Sequence, residues 1–195
     1  GDRVKRMFRE NRPGALSALL TISLFNGLAN GATGILLPFM IMDRFSSAYT
    51  TISTVNSFGS LGTMLVLLVG GRIADKRGRR GLVLTSGALF PLLMLSIFAA
   101  TSLWQMLCVI VLVTMVGNIS SPALSAVNME AVGPKDRATF AGLQMCLQST
   151  GLALGSVAAG IGYKVNPTWA WMVVIALFAS QLPLFAIALP KEGKG

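Results

Sequence analysis

The chain has 195 residues, 53% of them apolar and only 12% charged, where a soluble domain carries about 25% charged residues. So few charges cannot cover a water-facing surface, which excludes an ordinary soluble domain and points to a membrane protein. The formal net charge of +9 does not mark a nucleic-acid binder, because the basic residues sit in short clusters between apolar runs rather than along one polar face.

A membrane-spanning helix takes about 20 mostly apolar residues. Six segments qualify: 14–42, 48–71, 81–100, 105–129, 138–163 and 168–189. Ahead of them, residues 1–13 hold Arg3, Lys5, Arg6, Arg9 and Arg12 and read as a cytoplasmic segment. The chain starts at Gly1 rather than at an initiator methionine, as a processed or excised piece would, and no cleavable signal peptide is evident.

Span one contains Asn26-Gly27, Asn30-Gly31 and Pro38. In a soluble chain these pairs would read as turns; within so long an apolar run they read as irregularities tolerated by packed membrane helices. Asn26, Asn30 and Thr33 fall on one helical face, and span two aligns Ser53, Asn56, Ser57, Ser60 and Thr63 likewise. Span three is nearly apolar apart from Ser86 and Ser96. Span four carries Thr114, Asn118, Ser121, Ser125 and Asn128 at steps of 4, 3, 4 and 3, one face of a continuous helix. Its Asn118-Ile119-Ser120 triplet matches a glycosylation sequon, but a site deep in a span is a false positive. Span five has Gln144 and Gln148 one turn apart, followed by Gly151, Gly155, Ala159 and Gly160. Small residues at that spacing allow close helix contact, either within this bundle or against another one. Span six has only Ser180 and Gln181 as clear polar exceptions, and residues 190–195 form a short tail.

Polar faces in lipid turn toward partner helices or water. Spans one, two, four and five are therefore expected to enclose a shared space, while three and six face lipid. Asn26, Asn30, Asn56, Thr114, Asn118, Ser121, Gln144 and Gln148 are the candidate lining residues, with interhelical hydrogen bonding as the competing role for each.

Fourteen basic residues fall on one side of these spans, in the N-terminal segment, the second and fourth loops and the tail. Only Arg44 and Lys164 fall on the other. The excess of Lys and Arg places the rich side, and both termini, in the cytoplasm. Trp104, Trp169, Trp171, Tyr49 and Tyr163 then all lie at the outer boundary, where amphipathic rings prefer to sit.

The second loop reads Gly71-Arg72-Ile73-Ala74-Asp75-Lys76-Arg77-Gly78-Arg79-Arg80. A glycine at 71 lets two helices approach, Gly78 suits a tight reversal, Asp75 can pair with a base or cap a helix, and Arg79 and Arg80 can pair with carboxylates or lipid phosphates. The alternative is a stop-transfer basic cluster that only sets topology. This segment resembles the signature loop of the major facilitator superfamily, matching it at every fixed position and at the same place between the second and third helices. A looser similarity follows at Glu130-Ala131-Val132-Gly133-Pro134-Lys135-Asp136-Arg137, which leads into the fifth span.

The resemblance implies an all-α membrane protein: a six-transmembrane-helix bundle over 14–189 forming one major-facilitator-type half, built as a 3+3 inverted repeat. It implies that helices one and four line a cavity, two and five form its sides, and three and six support it from outside. Gly71, Asp75, Lys76, Gly78, Arg79 and Arg80, with Glu130 and Arg137, would form a conformational latch on the cytoplasmic side, Glu130 pairing with Arg79 or Arg80. The basic start, read as an inter-half linker, and the lack of an arginine in span four fit a C-terminal half. The implied activity is half of a secondary transporter or facilitator in the plasma (inner) membrane, moving a small solute by alternating access with a second six-helix half from the same parent chain or a copy of itself. A small-solute channel or a non-transporting assembly or sensor subunit is the alternative.

No ionisable side chain lies in the middle of a span, so proton coupling would need another half or Asp43 at the outer boundary. The two cysteines, Cys108 and Cys146, sit in apolar runs and histidine is absent. With no metal signature, paired carboxylates or catalytic dyad, neither a cofactor nor an enzyme activity is expected.

Overall fold

The computed structural model describes residues 13–45, 49–77 and 79–188. Residues 1–12 of the segment expected at 1–13, the tail expected at 190–195, Gly78, and the side chains of Tyr49 and of 69–79, which include Gly71, Asp75, Lys76 and Arg79, lie outside the described residues. Seven helices follow in order: α1 (Pro13–Phe45), α2 (Tyr49–Arg77), α3 (Arg79–Ala99), α4 (Leu103–Ile119), α5 (Ser121–Glu130), α6 (Arg137–Val165) and α7 (Pro167–Ala188).

Five stretches among them are long and apolar enough to cross a membrane: Gly14–Phe45, Arg80–Ala99, Leu103–Glu130, Arg137–Val165 and Pro167–Ala188. The sixth expected span, α2, is a helix of 29 residues, whose apolar stretch among the residues with described side chains is Ile52–Leu68.

The breakers act unequally. Pro38, Pro91 and Pro183 all lie inside unbroken helices, and α1 runs straight through both Asn-Gly pairs. Pro122 instead marks a division. Having no N–H, it leaves the Asn118 carbonyl without its usual donor, and the helix is interrupted at Ser120 between α4 and α5, while Leu103–Glu130 remains the one membrane-length stretch expected. The stripe read along span four is thus carried on two helices rather than one.

α1 packs most closely on α6 and next on α7, while α2 packs on α4. α3 lies against both α4 and α7, and the pairs α2–α3 and α6–α7 touch less. The α1–α6 crossing is made backbone to backbone. A Cβ added at Gly27 or Gly31 would run into the carbonyl oxygens of Gln148 and Leu152, and one at Gly155 into that of Leu28. At Gly151 it would lie 2.5 Å from the Leu24 oxygen. Gly151 and Gly155 of span five are therefore spent inside this bundle, whereas a Cβ at Gly160 would meet nothing within 4 Å. The α2–α4 crossing uses the same device more gently: a Cβ at Gly62 would meet Val111 at 3.2 Å and Met115 at 3.3 Å, and one at Gly59 would meet Thr114 at 3.5 Å. Close approach of this kind strengthens dispersion contact where lipid removes the hydrophobic drive between helices.

The main core gathers Leu36, Ile41, Met94, Met106, Trp171 and Val174 from four helices. A second cluster of Leu16, Leu19 and Phe140 closes the other end. Outward, α3 presents Leu89, Leu92 and Leu95, and α7 presents Met172, Val173 and Ile187. The aromatic residues divide. Trp104 and Trp169 are 75% and 71% exposed, but Trp171, expected in the same boundary belt, is 1% exposed. Its ring packs edge-on against Phe98, 6.1 Å between centroids.

Polar groups finish the helix ends. Arg44, at the end of α1, donates to the carbonyl oxygens of Ile97 (3.3 Å) and Phe98 (2.9 Å), in the last turn of α3. These carbonyls have no donors within the helix, and a guanidinium suits the negative end of its dipole. One of the two basic residues on the poor side thus has a structural partner. Arg44→Gln is expected to cost about 1 kcal/mol, readable as a lowered thermal unfolding midpoint in detergent. At the turn between α6 and α7, Asn166 accepts from the Thr168 (3.0 Å) and Trp169 (3.2 Å) amides, with Pro167 opening α7.

Candidate functional site

The eight candidate lining residues separate into open and packed sets. Asn30, Asn56, Ser121 and Gln148 are exposed, whereas Asn26, Thr114, Asn118 and Gln144 are half-buried. Among the half-buried members, Asn118 ties two helices together. The Asn118 amide donates to the Thr114 carbonyl at 2.8 Å and reaches the Thr63 hydroxyl on α2 at 3.4 Å. The Thr114 hydroxyl returns to its own helix, donating to Ile110 (3.0 Å) and Val111 (2.9 Å). Both belong to the α2–α4 crossing.

On α1 the arrangement differs. The Asn30 amide donates at 2.7 Å to both the side-chain and main-chain oxygens of Asn26. Thr33 sits on the same side and bonds back to Ala29 at 2.8 Å. The buried positions Ala29, Ala32 and Leu36 lie about a quarter turn around the helix from that side. The surface that α1 leaves open in mid-helix is therefore amides, a hydroxyl and glycine. The polar part of α2 is likewise exposed at Ser53, Asn56, Ser57 and Ser60. Between α1 and α6, the Ser156 hydroxyl donates to Gly31 at 3.1 Å.

The apolar spans also carry inward polar groups. Ser86 and Gln181, read simply as exceptions in spans three and six, are 7% and 3% exposed. Gln181 Nε2 and Trp171 Nε1 are buried with no hydrogen-bond partner, as is Asn128 Oδ1 on α5. A lone amide in an otherwise lipid-compatible helix was the available signal for Gln181, since such a group avoids facing acyl chains.

A cavity of about 420 Å³ lies between α1, α6 and α7, lined by Leu28, Ala32, Gly155, Ala159, Trp169 and Val173 among others. Its walls are almost wholly apolar, and the candidate amides do not line it.

At the end of the bundle near Trp169, Tyr163 donates its hydroxyl to Asp43 at 2.5 Å, and its ring packs on Phe39 with centroids 5.3 Å apart. This joins the ends of α1 and α6. At the opposite end, α2 finishes at Arg77 and α3 begins at Arg79. Arg137, expected in the latch, donates from Nε to the Met129 carbonyl at 3.0 Å, bracing the connection between α5 and α6. Both cysteines are exposed and unpaired, and no group of three potential metal ligands occurs among the described residues.

Comparison with known proteins places this architecture. The family model described as Major Facilitator Superfamily matches residues 19–194. The 3-(3-hydroxy-phenyl)propionate transporter of Escherichia coli is 32% identical over 171 residues, covering 86% of this chain and 40% of that protein. The mouse solute carrier family 2, facilitated glucose transporter member 10, is 29% identical over 194 residues, covering 93% of this chain and 35% of the relative. An uncharacterised MFS-type transporter of Bacillus subtilis is 22% identical over 179 residues, covering 90% and 45%. The chain thus spans less than half the length of these relatives. The matching family model, the 32% identity and the long apolar helices together show an integral membrane protein that belongs to the Major Facilitator Superfamily.

Proposed function

We propose that the chain is one six-helix half, a C-terminal one, of a secondary transporter or facilitator that moves a small solute by alternating access against a second half. The observation that carries this reading is the open face of α1. A membrane helix that exposes Asn30 and turns Leu36 inward is inverted relative to a lipid-facing one. An amide left in hydrocarbon loses several kcal/mol of hydrogen bonding, so that face belongs to water, a solute or the second half rather than to lipid.

The pattern of packing adds support for a 3+3 repeat. Counting α4 and α5 as one span, exchange of the first three spans with the last three turns α1–α6 into the α4–α2 contact and α1–α7 into α4–α3. The same exchange turns α2–α3 into α6–α7 and leaves α3–α7 unchanged. The relatives add the solute class in outline, one being named for a hydroxyphenylpropionate and one for glucose. In this reading the termini and the Gly71–Arg80 loop are cytoplasmic, in the plasma membrane. The loop, with Glu130 and Arg137, latches that side while the solute path is open outward.

The test uses the full-length protein with Cys108 and Cys146 replaced by Ala or Ser. Single cysteines at Asn30, Asn56 and Gln148 are expected to react with a water-soluble maleimide in proteoliposomes, and cysteines at Leu92 and Val173 are not. Counterflow of a transported solute is expected to saturate. Equal labelling of both sets, or linear unsaturable flux, would count against a carrier and favour a channel or a non-transporting subunit.

A further inference from the structure

The apolar cavity between α1, α6 and α7 is not lined by the candidate amides, and its walls point to a different occupant. From α6 they are small residues, Gly155, Ala158, Ala159 and Gly162, up to Val165 at the helix end. At the turn the two helices meet, where a Cβ at Gly162 would stand 3.6 Å from that of Ala170. Along the rest of their length α6 and α7 touch little. The space between them is a wedge floored by Leu28 and Ala32 of α1. Its lining residues Val165, Trp169 and Val173 are exposed, so the wedge opens on the side of the bundle through an almost wholly apolar mouth.

A space of about 420 Å³ with such walls gives water few hydrogen-bond partners and stays dry. Left empty, it would deprive its lining of dispersion contacts. A hydrocarbon chain supplies those contacts and needs no polar partner. The length suits one as well. Gly155 to Val165 is ten helical rises, about 15 Å, and half of a hydrocarbon core about 30 Å thick is the same distance. The wedge therefore has the length of one leaflet, and it ends where Trp169 sits.

The chemistry at that end identifies the head of the molecule. Arg44 and Lys164 are the basic residues on this side. Arg44 is engaged by the α3 carbonyls. Lys164, in the last turn of α6 and next to Val165, is exposed and has no hydrogen bond or ion pair among the described residues. A lysine stem lies along apolar surface while its ammonium reaches lipid phosphates.

We infer that the α6–α7 wedge binds one phospholipid, with an acyl chain filling the cavity and the phosphate held by Lys164. Such a lipid is part of the packing between two helices that otherwise touch little, rather than a passing neighbour. The inference needs only the membrane class of the chain and is independent of the carrier reading.

The test uses the full-length protein in liposomes of phosphatidylcholine and phosphatidylglycerol, a trace of the latter carrying a diazirine on one acyl chain. After irradiation, adducts are expected at Ala158, Ala170 and Val173 more often than at Leu92, which is exposed on α3. Native mass spectrometry from detergent is expected to show one retained phospholipid. Ala158→Phe, which fills the wedge from an exposed position, is expected to keep a wild-type size-exclusion peak yet lose both the retained lipid and the excess of adducts. Lys164→Gln is expected to weaken retention of phosphatidylglycerol about five-fold, the worth of one lysine at an anionic lipid surface. Retention unchanged by Ala158→Phe, or adducts spread evenly over the apolar surface, overturns the site. Retention unchanged by Lys164→Gln overturns its headgroup contact. Labelling of Leu92 with none in the wedge would show that protein, such as the second half, covers the mouth, and overturns the site as well.

Discussion

Gly31→Leu is expected to abolish the folded protein, while Gly34→Leu, three residues along the same helix, leaves it folded. At Gly31 even a Cβ would run into the Leu152 carbonyl oxygen, and Gly155 on α6 meets Leu28 in the same way, whereas a Cβ at Gly34 would find nothing within 4 Å. The obstacle is backbone on both sides, so no rotamer change can relieve it and the two helices must separate. Overpacking of a core by side chains costs about 1–3 kcal/mol. Here the separation also pulls apart the most extensive helix contact in the bundle and the Ser156–Gly31 hydrogen bond. The loss is expected at or above the upper end of that range. Fluorescence-detected size exclusion of the two variants in mild detergent checks it: aggregate for Gly31→Leu, a wild-type peak for Gly34→Leu. Two wild-type peaks would show that α1 and α6 are not held this closely.

Asp75→Asn is expected to lower transport by the full-length protein about ten-fold or more while leaving insertion and yield unchanged. Asp75 lies two residues before the end of α2. A carboxylate in the last turn of a helix is in general opposed by the helix dipole, by about 0.3–1 kcal/mol. The start of α3, four residues on, is a positive end, and Lys76, Arg77, Arg79 and Arg80 surround the position in sequence. If the latch reading holds, one arrangement of this segment sets a carboxylate against bases or a helix start and the other releases it. Such a charge biases one arrangement of the loop over another, which is the property a latch needs. Asparagine keeps the shape and removes the charge. Initial rates of uptake, with surface-labelled protein as the denominator, are the measurement; unchanged rates would reduce the loop to a topology signal.

The helical phase of the candidate residues on α1 was legible in the sequence alone. The helical steps that put Asn26, Asn30 and Thr33 on one face held because α1 continues as a regular helix through both Asn-Gly pairs. The same arithmetic on span four assumed a continuity that Pro122 removes. It also could not tell an amide that opens to the outside from one, such as Asn118, that reaches a neighbouring helix. Spacing reports which side of a helix a residue is on and says nothing of what lies opposite.

That division describes the whole protein. Membrane class, the positions of the apolar runs and the character of the Gly71–Arg80 loop are set by quantities summed along a local stretch, namely transfer free energy, charge and length, so the chain alone determines them. The tertiary structure decided that Gly31 is a packing glycine and Gly34 a vacant one. It decided that Trp171 fills the core while Trp169 faces out, and that Arg44 closes α3. Each of these depends on the distance to another helix that is remote in sequence, and no local sum contains that distance.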